Sequence, residues 1–155
     1  MTLRYVAMPE MDAERLRQGG GDAFGNLPER RVSDGDGVPC RHCLRNVEEG
    51  EAYLILAYRP FSSAQPYAET GPIFMHADAC PAADRSLLPP ILTSSRDYLL
   101  RGYSADERIV YGTGGVVPAE NLEQRAEELL ARPDVAYVHV RSAKYNCYQC
   151  RIEAA

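Results

Sequence analysis

Two short strings, PCRHC at residues 39–43 and HADAC at residues 76–80, constrain the fold of this chain more than any other feature. All five cysteines and two of the three histidines fall in three clusters: Cys40, His42 and Cys43; His76 and Cys80; and the tail pair Cys147 and Cys150. Zinc takes four tetrahedral nitrogen or sulfur ligands, and a C-x-x-C turn supplies two thiolates from one tight loop. Pro39 suits such a turn, because its ring fixes φ and it cannot continue a ladder. His76 and Cys80 offer the second pair. Pro81 disfavours helix at Cys80, so the expected arrangement has His76 ending a strand and Cys80 just before a helix that starts at Pro81. A turn, a hairpin and two ligands around a helix N-terminus make a treble-clef-like zinc element, and a helix N-terminus favours thiolate over thiol.

The tail pair reads differently. In a strand over NCYQCRIE, Cys147 and Cys150 are three apart and point to opposite faces. Tyr148, Cys150 and Ile152 then share one face, and Cys147 lies on the other. The favoured ligand set is therefore Cys40, Cys43, His76 and Cys80. Two alternatives stand beside it: an all-cysteine site joining Cys40 and Cys43 to the tail pair, and no metal at all, with the cysteines packed as small apolar residues. A thioredoxin-like dithiol is disfavoured, since neither C-x-x-C lies between a strand and a long helix.

With 155 residues, 45% hydrophobic and 25% charged, the chain reads as one soluble domain, residues 1–155. Within it, residues 1–37 form an N-terminal strand, helix and Gly-rich connection, and 38–155 the main body. A net charge of −5 argues against binding nucleic acid or anionic membranes, which demand a basic face. The sequence has neither an apolar run near the roughly 18 residues of a membrane span nor the apolar core of a signal peptide. The expectation is a cytoplasmic, reducing location, where thiols and metal sites prevail over disulfides.

Along the chain, LRYVAM reads as an opening strand and PEMDAERLR as a short helix entered through Pro9. Residues 18–37, with six glycines, read as a surface connection. Its SDGDG string lacks the twelve-residue pattern and closing Glu of a calcium loop. EAYLILAYRPF and GPIFMHA are rich in β-formers and read as strands, as do RDYLLRGYS, RIVYGT, DVAYVHVRSA and NCYQCRIE. Adjacent prolines make SLLPPILTSS a loop. One long helix is expected over PAENLEQRAEELLAR, with Leu122, Ala126, Leu129 and Leu130 as its apolar stripe, Glu120, Glu123, Glu127 and Glu128 on its solvated face, and Pro133 ending it. Strands outnumber helices without alternating with them, so the predicted class is α+β with a mainly antiparallel sheet.

Other constellations carry less. Cys147 and His139 lie on consecutive predicted strands and are the candidates for a thiolate nucleophile and its base. No third orienting group accompanies them, and a half-buried histidine bonded to backbone is the favoured reading. GTGG lacks the Lys-Ser/Thr of a phosphate loop and reads as a turn. Arg59, Arg96, Arg101 and Arg141 are spread over predicted strands and could gather into an anion site, a reading the sequence alone supports no better than surface charge.

Four strings, VPCRHCLRNVEEGEAYLILAYRPF, PYAETGPIFMHADAC, RDYLLRGYSADERIV and RPDVAYVHVRSAKYNCY, together resemble the bacterial domain-of-unknown-function family 1203 from about Val38 to the end. The resemblance implies no activity or substrate. It implies a cysteine at the positions of Cys40 and Cys147. CRHC and H-A-x-x-C mark a subset, and Cys150 departs from the usual pattern. Zinc held through Cys43, His76 and Cys80 would then be a feature of that subset. The sequence thus leads to a small α+β protein with a structural zinc, acting as a binding or accessory module, monomeric or homodimeric. The alternative is a thiol-dependent enzyme using Cys147 with His139.

Overall fold

A computed structural model describes residues 1–155. In chain order its elements are β1 (Leu3–Val6), α1 (Glu10–Arg17), β2 (Glu29–Val32), β3 (Ala52–Tyr58), β4 (Gly71–His76), β5 (Asp97–Tyr103), β6 (Gly115–Pro118), α2 (Leu122–Leu130), β7 (Tyr137–Ser142) and β8 (Tyr148–Ala154). They belong to two compact units, one of residues 7–83 and one of residues 1–6 with 84–155. Every strand pairing is antiparallel, as the α+β reading expects. No helix is long and apolar enough to cross a membrane.

The unit of residues 7–83 holds a three-stranded sheet in the order β2-β3-β4. β3 and β4 pair from Tyr53 opposite His76 to Tyr58 opposite Gly71. Period-two alternation sends Leu54, Leu56, Ile73 and Met75 into a core shared with Ala13 and Leu16 of α1. On the other face Tyr53 and Phe74 meet edge to face, with ring centroids 5.3 Å apart. Helix α1 follows Pro9, carries Glu10 and Asp12 in its first turn and ends with Arg15 and Arg17, which matches the helix dipole at both ends. The connection expected over residues 18–37 contains strand β2. All four of its side chains are exposed, so no alternation betrays it in the sequence.

In the second unit a five-stranded sheet runs β1-β8-β7-β5-β6. Leu122, Ala126 and Leu129 of α2 are its buried helical residues, in a unit whose interior includes Tyr98, Leu100, Val138, Val140, Cys150 and Ile152. Buried tyrosines need partners for their hydroxyls. Tyr5 donates to Glu123, and Tyr98 donates to the Ile91 carbonyl at 2.7 Å.

Three local elements differ from their expected form. The predicted long helix over 118–132 is a 3-10 turn, Ala119–Asn121, followed by nine α-helical residues. The chain leaves the helix at Ala131, before Pro133 is reached. Residues 108–113 do not form a strand but a single bridge, Tyr103 to Ile109. There Gly112 takes φ +89°, and the Thr113 hydroxyl, turned inward, accepts from Gly102 N–H at 2.9 Å. The strand forms afterwards as β6, with Pro118 opposite Asp97. Finally, the loop around Pro89 and Pro90 contains a one-turn 3-10 element that buries Ile91 and Leu92.

Gly102 sits where that inward loop crosses β5. A Cβ there would lie 3.0 Å from Val135 Cγ2 and 3.2 Å from Thr113 Cβ. Gly102→Ala is expected to destabilise the protein by about 1–3 kcal/mol through overpacking, read as a lower urea midpoint. Thr113→Ser, which keeps the hydroxyl and removes the nearby methyl, should offset part of that loss in the double variant.

Candidate metal centre

Residues 38–47 fold back on themselves. Val47 N–H donates to the Val38 carbonyl at 2.7 Å, Cys40 N–H to Arg45 at 2.9 Å, and Leu44 N–H to Cys40 at 2.9 Å. The turn is closed by Leu44, buried in the left-handed region at φ +58°. Such a conformation costs on the order of 1–3 kcal/mol and persists only where its surroundings dictate it. The turn is tied to the sheet by Arg41 N–H donating to Phe74 at 3.1 Å. His76 is the last residue of β4, and its N–H points at Cys40 Sγ, 3.3 Å away. Cys80 follows in a segment with no regular structure.

The consequence is one compact group. A ligand atom from each of Cys40, Cys43, His76 and Cys80 lies within 4.8 Å of the others. Cys40 Sγ and Cys80 Sγ are 3.9 Å apart, and Cys43 Sγ is 3.5 Å from His76 Nδ1. Two sulfurs held tetrahedrally at ~2.3 Å from one zinc would be separated by roughly 3.8 Å. The spacing therefore fits the dimensions of a four-coordinate site, and three sulfurs with one imidazole suit zinc chemically.

Around these four lies a ring of polar groups. His42 sits inside the C-x-x-C turn with its ring 1% exposed. Its Nε2 is 2.6 Å from Glu10 Oε2 and its Nδ1 is 3.1 Å from Cys80 Sγ. Arg17 Nη2 donates to the same sulfur at 3.0 Å, and Arg17 Nε donates to the His76 carbonyl at 3.0 Å. Glu51 Oε1 lies 3.5 Å from His76 Nε2, which leaves Nδ1 turned towards the cysteines. Carboxylate partners of this kind hold a ligating imidazole in one orientation.

The thiols act on one another. Hydrogen bonds from the Cys43 and Cys80 thiols, opposed by burial and helped by the His76 N–H, hold Cys40 well below the usual thiol range. The same contacts, with burial, push Cys43 up. Cys80 is also raised, chiefly by its contact with Cys40, while Arg17 pulls the other way. A cation would favour the thiolate at all three.

The four ligands named from the sequence do meet, but the helix expected at Pro81 is absent. Residues 79–84 have no helical structure, because three residues after Pro81 the chain has already left this unit. A helix of the unit does serve the cluster, but it is α1, which precedes the turn in sequence. Glu10 and Arg17 are seven apart on α1 and so share a face. That spacing is the one signal by which their role was readable in advance.

Cys147 and His139 are not placed opposite each other. His139 pairs with Arg151, and the register shifts between Val140 and Arg141. Asn146, at φ +59°, breaks the strand so that Cys147 falls in the β7–β8 turn, where its sulfur faces the Tyr145 carbonyl at 3.8 Å. Cys150 is fully buried in the core of its unit. His139 is ringed instead by Tyr103, Tyr137 and Tyr148, with centroids 4.7, 5.1 and 4.8 Å away. Arg101 and Arg141 hold the same turn: Arg101 Nη2 donates to Asn146 Oδ1 at 3.5 Å, and Arg141 Nη1 to the Asn146 carbonyl at 3.0 Å.

A family model described as "Protein of unknown function (DUF1203)" matches residues 37–154. Neither the curated proteins nor the solved structures contain a match to the chain.

Burial, reinforced by Arg141, Arg151 and Arg101, holds the His139 imidazole well below its ordinary pKa. Its NMR shifts should therefore stay those of the neutral ring as pH falls past about 6.5. The unfolded chain takes up that proton first, so this group withdraws stability from the folded state as pH drops below the unfolded value. Urea midpoints should accordingly decline from pH 7.5 to pH 5.5. A His139 ring that titrates near its ordinary value would contradict this.

Proposed function

The chain belongs to the DUF1203 family, whose description assigns no activity, and from that premise we propose that it is a structural zinc protein acting as a binding or accessory module. Cys40, Cys43 and Cys80 would supply three thiolates, and His76 Nδ1 the fourth donor. The observation that carries this reading is the match between the 3.9 Å and 3.5 Å separations in the cluster and the edges of a zinc tetrahedron. Four protein donors leave no position for a catalytic water, which separates a structural site from a hydrolytic one.

The fold gives such an ion a physical task. Cys40 and Cys43 belong to the same buried cluster as Leu54, Leu56, Ile73 and Met75. Cross-linking the 40–43 turn to the end of β4 and to Cys80 would staple a unit of fewer than about 80 residues, a size at which an apolar core alone yields little stability. Zinc binding of this kind contributes roughly 10–16 kcal/mol at neutral pH, far more than the strain at Leu44. A reducing, cytoplasmic setting would keep the three thiols available. The net charge of −5 supports a partner other than nucleic acid or an anionic membrane.

Protein purified without chelators should contain about one zinc per chain. Cys43→Ser should lose most of it. Glu51→Gln should keep the site but weaken its affinity by about 10–100-fold, as loss of a carboxylate behind a ligating histidine does. On chelation, amide protection should fall across residues 38–80 and persist in β7 and β8. Zinc below about a tenth of an equivalent, with none taken up from solution, would overturn the reading.

A further inference from the structure

We propose that this cluster is also a hydroperoxide-responsive centre, in which Cys80 is the sulfur oxidised first and Cys40 the sulfur that captures it as a disulfide. The inference rests on the zinc reading above and adds a regulation of the same site.

Access separates the three sulfurs. Cys40 is 0% exposed and Cys43 4%, whereas Cys80 is only partly buried. Cys80 also follows β4 in a segment without regular structure, whereas Cys40 and Cys43 sit in the hydrogen-bonded turn. A metal-bound cysteine is already a thiolate, and exposure then governs which sulfur an oxidant reaches. Arg17 Nη2, at 3.0 Å from Cys80 Sγ, stands where an oxygen leaving the peroxide would need a hydrogen-bond donor.

The resolving sulfur is in place beside it. Cys40 Sγ is 3.9 Å from Cys80 Sγ and is anchored by the turn hydrogen bonds and by the His76 N–H. Closing to a disulfide length of about 2.05 Å needs a shift of roughly 2 Å, which falls to Cys80. Cys43 also touches both of the other sulfurs, but it is held as well by His76 Nδ1 at 3.5 Å and by the Arg45 carbonyl at 4.0 Å.

The chemistry balances with a hydroperoxide as the two-electron oxidant. The Cys80 thiolate attacks the O–O bond, forming a sulfenic acid and releasing an alkoxide or hydroxide that takes a proton from water. The Cys40 thiolate then attacks the Cys80 sulfur, forming the S–S bond and expelling hydroxide, which is protonated in turn. Two thiolates, one hydroperoxide and two protons give one disulfide, one alcohol (water, from hydrogen peroxide) and one water. With two donors committed to each other, the cluster keeps only Cys43 and His76, and the metal is released.

Cys147 provides an internal comparison. It too is partly buried, but its sulfur faces the Tyr145 carbonyl and no cationic donor. The full-length, zinc-loaded protein is treated with a few equivalents of hydrogen peroxide. Zinc release is followed with a chromogenic chelator, and the thiols are mapped by alkylation and mass spectrometry. The expected result is about one zinc released per disulfide formed, with Cys40 and Cys80 as the linked pair and Cys147 oxidised at least about tenfold more slowly. Cys147→Ser should respond as the unaltered protein does. Cys80→Ser, which keeps the other three donors and a hydroxyl, should when zinc-loaded lose the fast phase of thiol consumption; should that variant hold no zinc, the mapping on the unaltered protein decides alone. Zinc retained under peroxide, a Cys40–Cys43 disulfide, or Cys147 as the first site oxidised overturns this inference and leaves the zinc reading standing. A protein that takes up no zinc overturns both.

Discussion

Within residues 7–83 the structure depends on the convergence of four soft donors at one point. Three stretches of chain supply them: the turn at residues 40–43, the end of β4 at His76, and the irregular segment at Cys80. Neither the turn nor the Cys80 segment is regular enough to hold itself. The turn requires Leu44 in a strained conformation, and the segment after His76 has no helical or strand hydrogen bonds of its own. What fixes them is hydrogen bonding between the turn and β4 and, on the proposed reading, an ion whose coordination energy far exceeds the strain. Buried polar groups at the same place fit that account. His42 is almost wholly inside and yet has a partner at each ring nitrogen, which an apolar core would not supply.

How much of this was readable in advance follows from the physics of each signal. Ligand type and spacing are local properties of the sequence, so Cys40, Cys43, His76 and Cys80 could be named without any structure. Strand periodicity worked where one face is buried, as in β3, where Leu54 and Leu56 alternate with less buried neighbours. It was silent for β2, whose four side chains are all exposed. The helix expected at Pro81 is absent because proline marks a helix start only where chain follows that packs as helix, and Pro81 stands two residues from the end of its unit. Glu10 and Arg17 were missed because their roles arise from long-range packing. Their i, i+7 spacing on α1 shows a shared face but not what the face touches.

The other unit teaches the same lesson about register. His139 and Cys147 lie on consecutive strand-like stretches, which invites pairing them as base and nucleophile. A shift between Val140 and Arg141 and a left-handed Asn146 decide otherwise, setting His139 opposite Arg151 and leaving Cys147 in the turn. Helix α2 was placed correctly but drawn too long, since an apolar stripe does not distinguish a 3-10 entry from the α-helix that follows. Thr113 shows how one inward hydroxyl, bonded to Gly102 N–H, can displace a strand by several residues.

The central claim concerns the identity and number of atoms around one ion, and X-ray absorption at the zinc edge reads both directly. On the purified protein the account predicts three sulfurs at about 2.3 Å and one nitrogen at about 2.0–2.1 Å, with no fifth ligand. A first shell of oxygens and nitrogens, or one with fewer than three sulfurs, would contradict it.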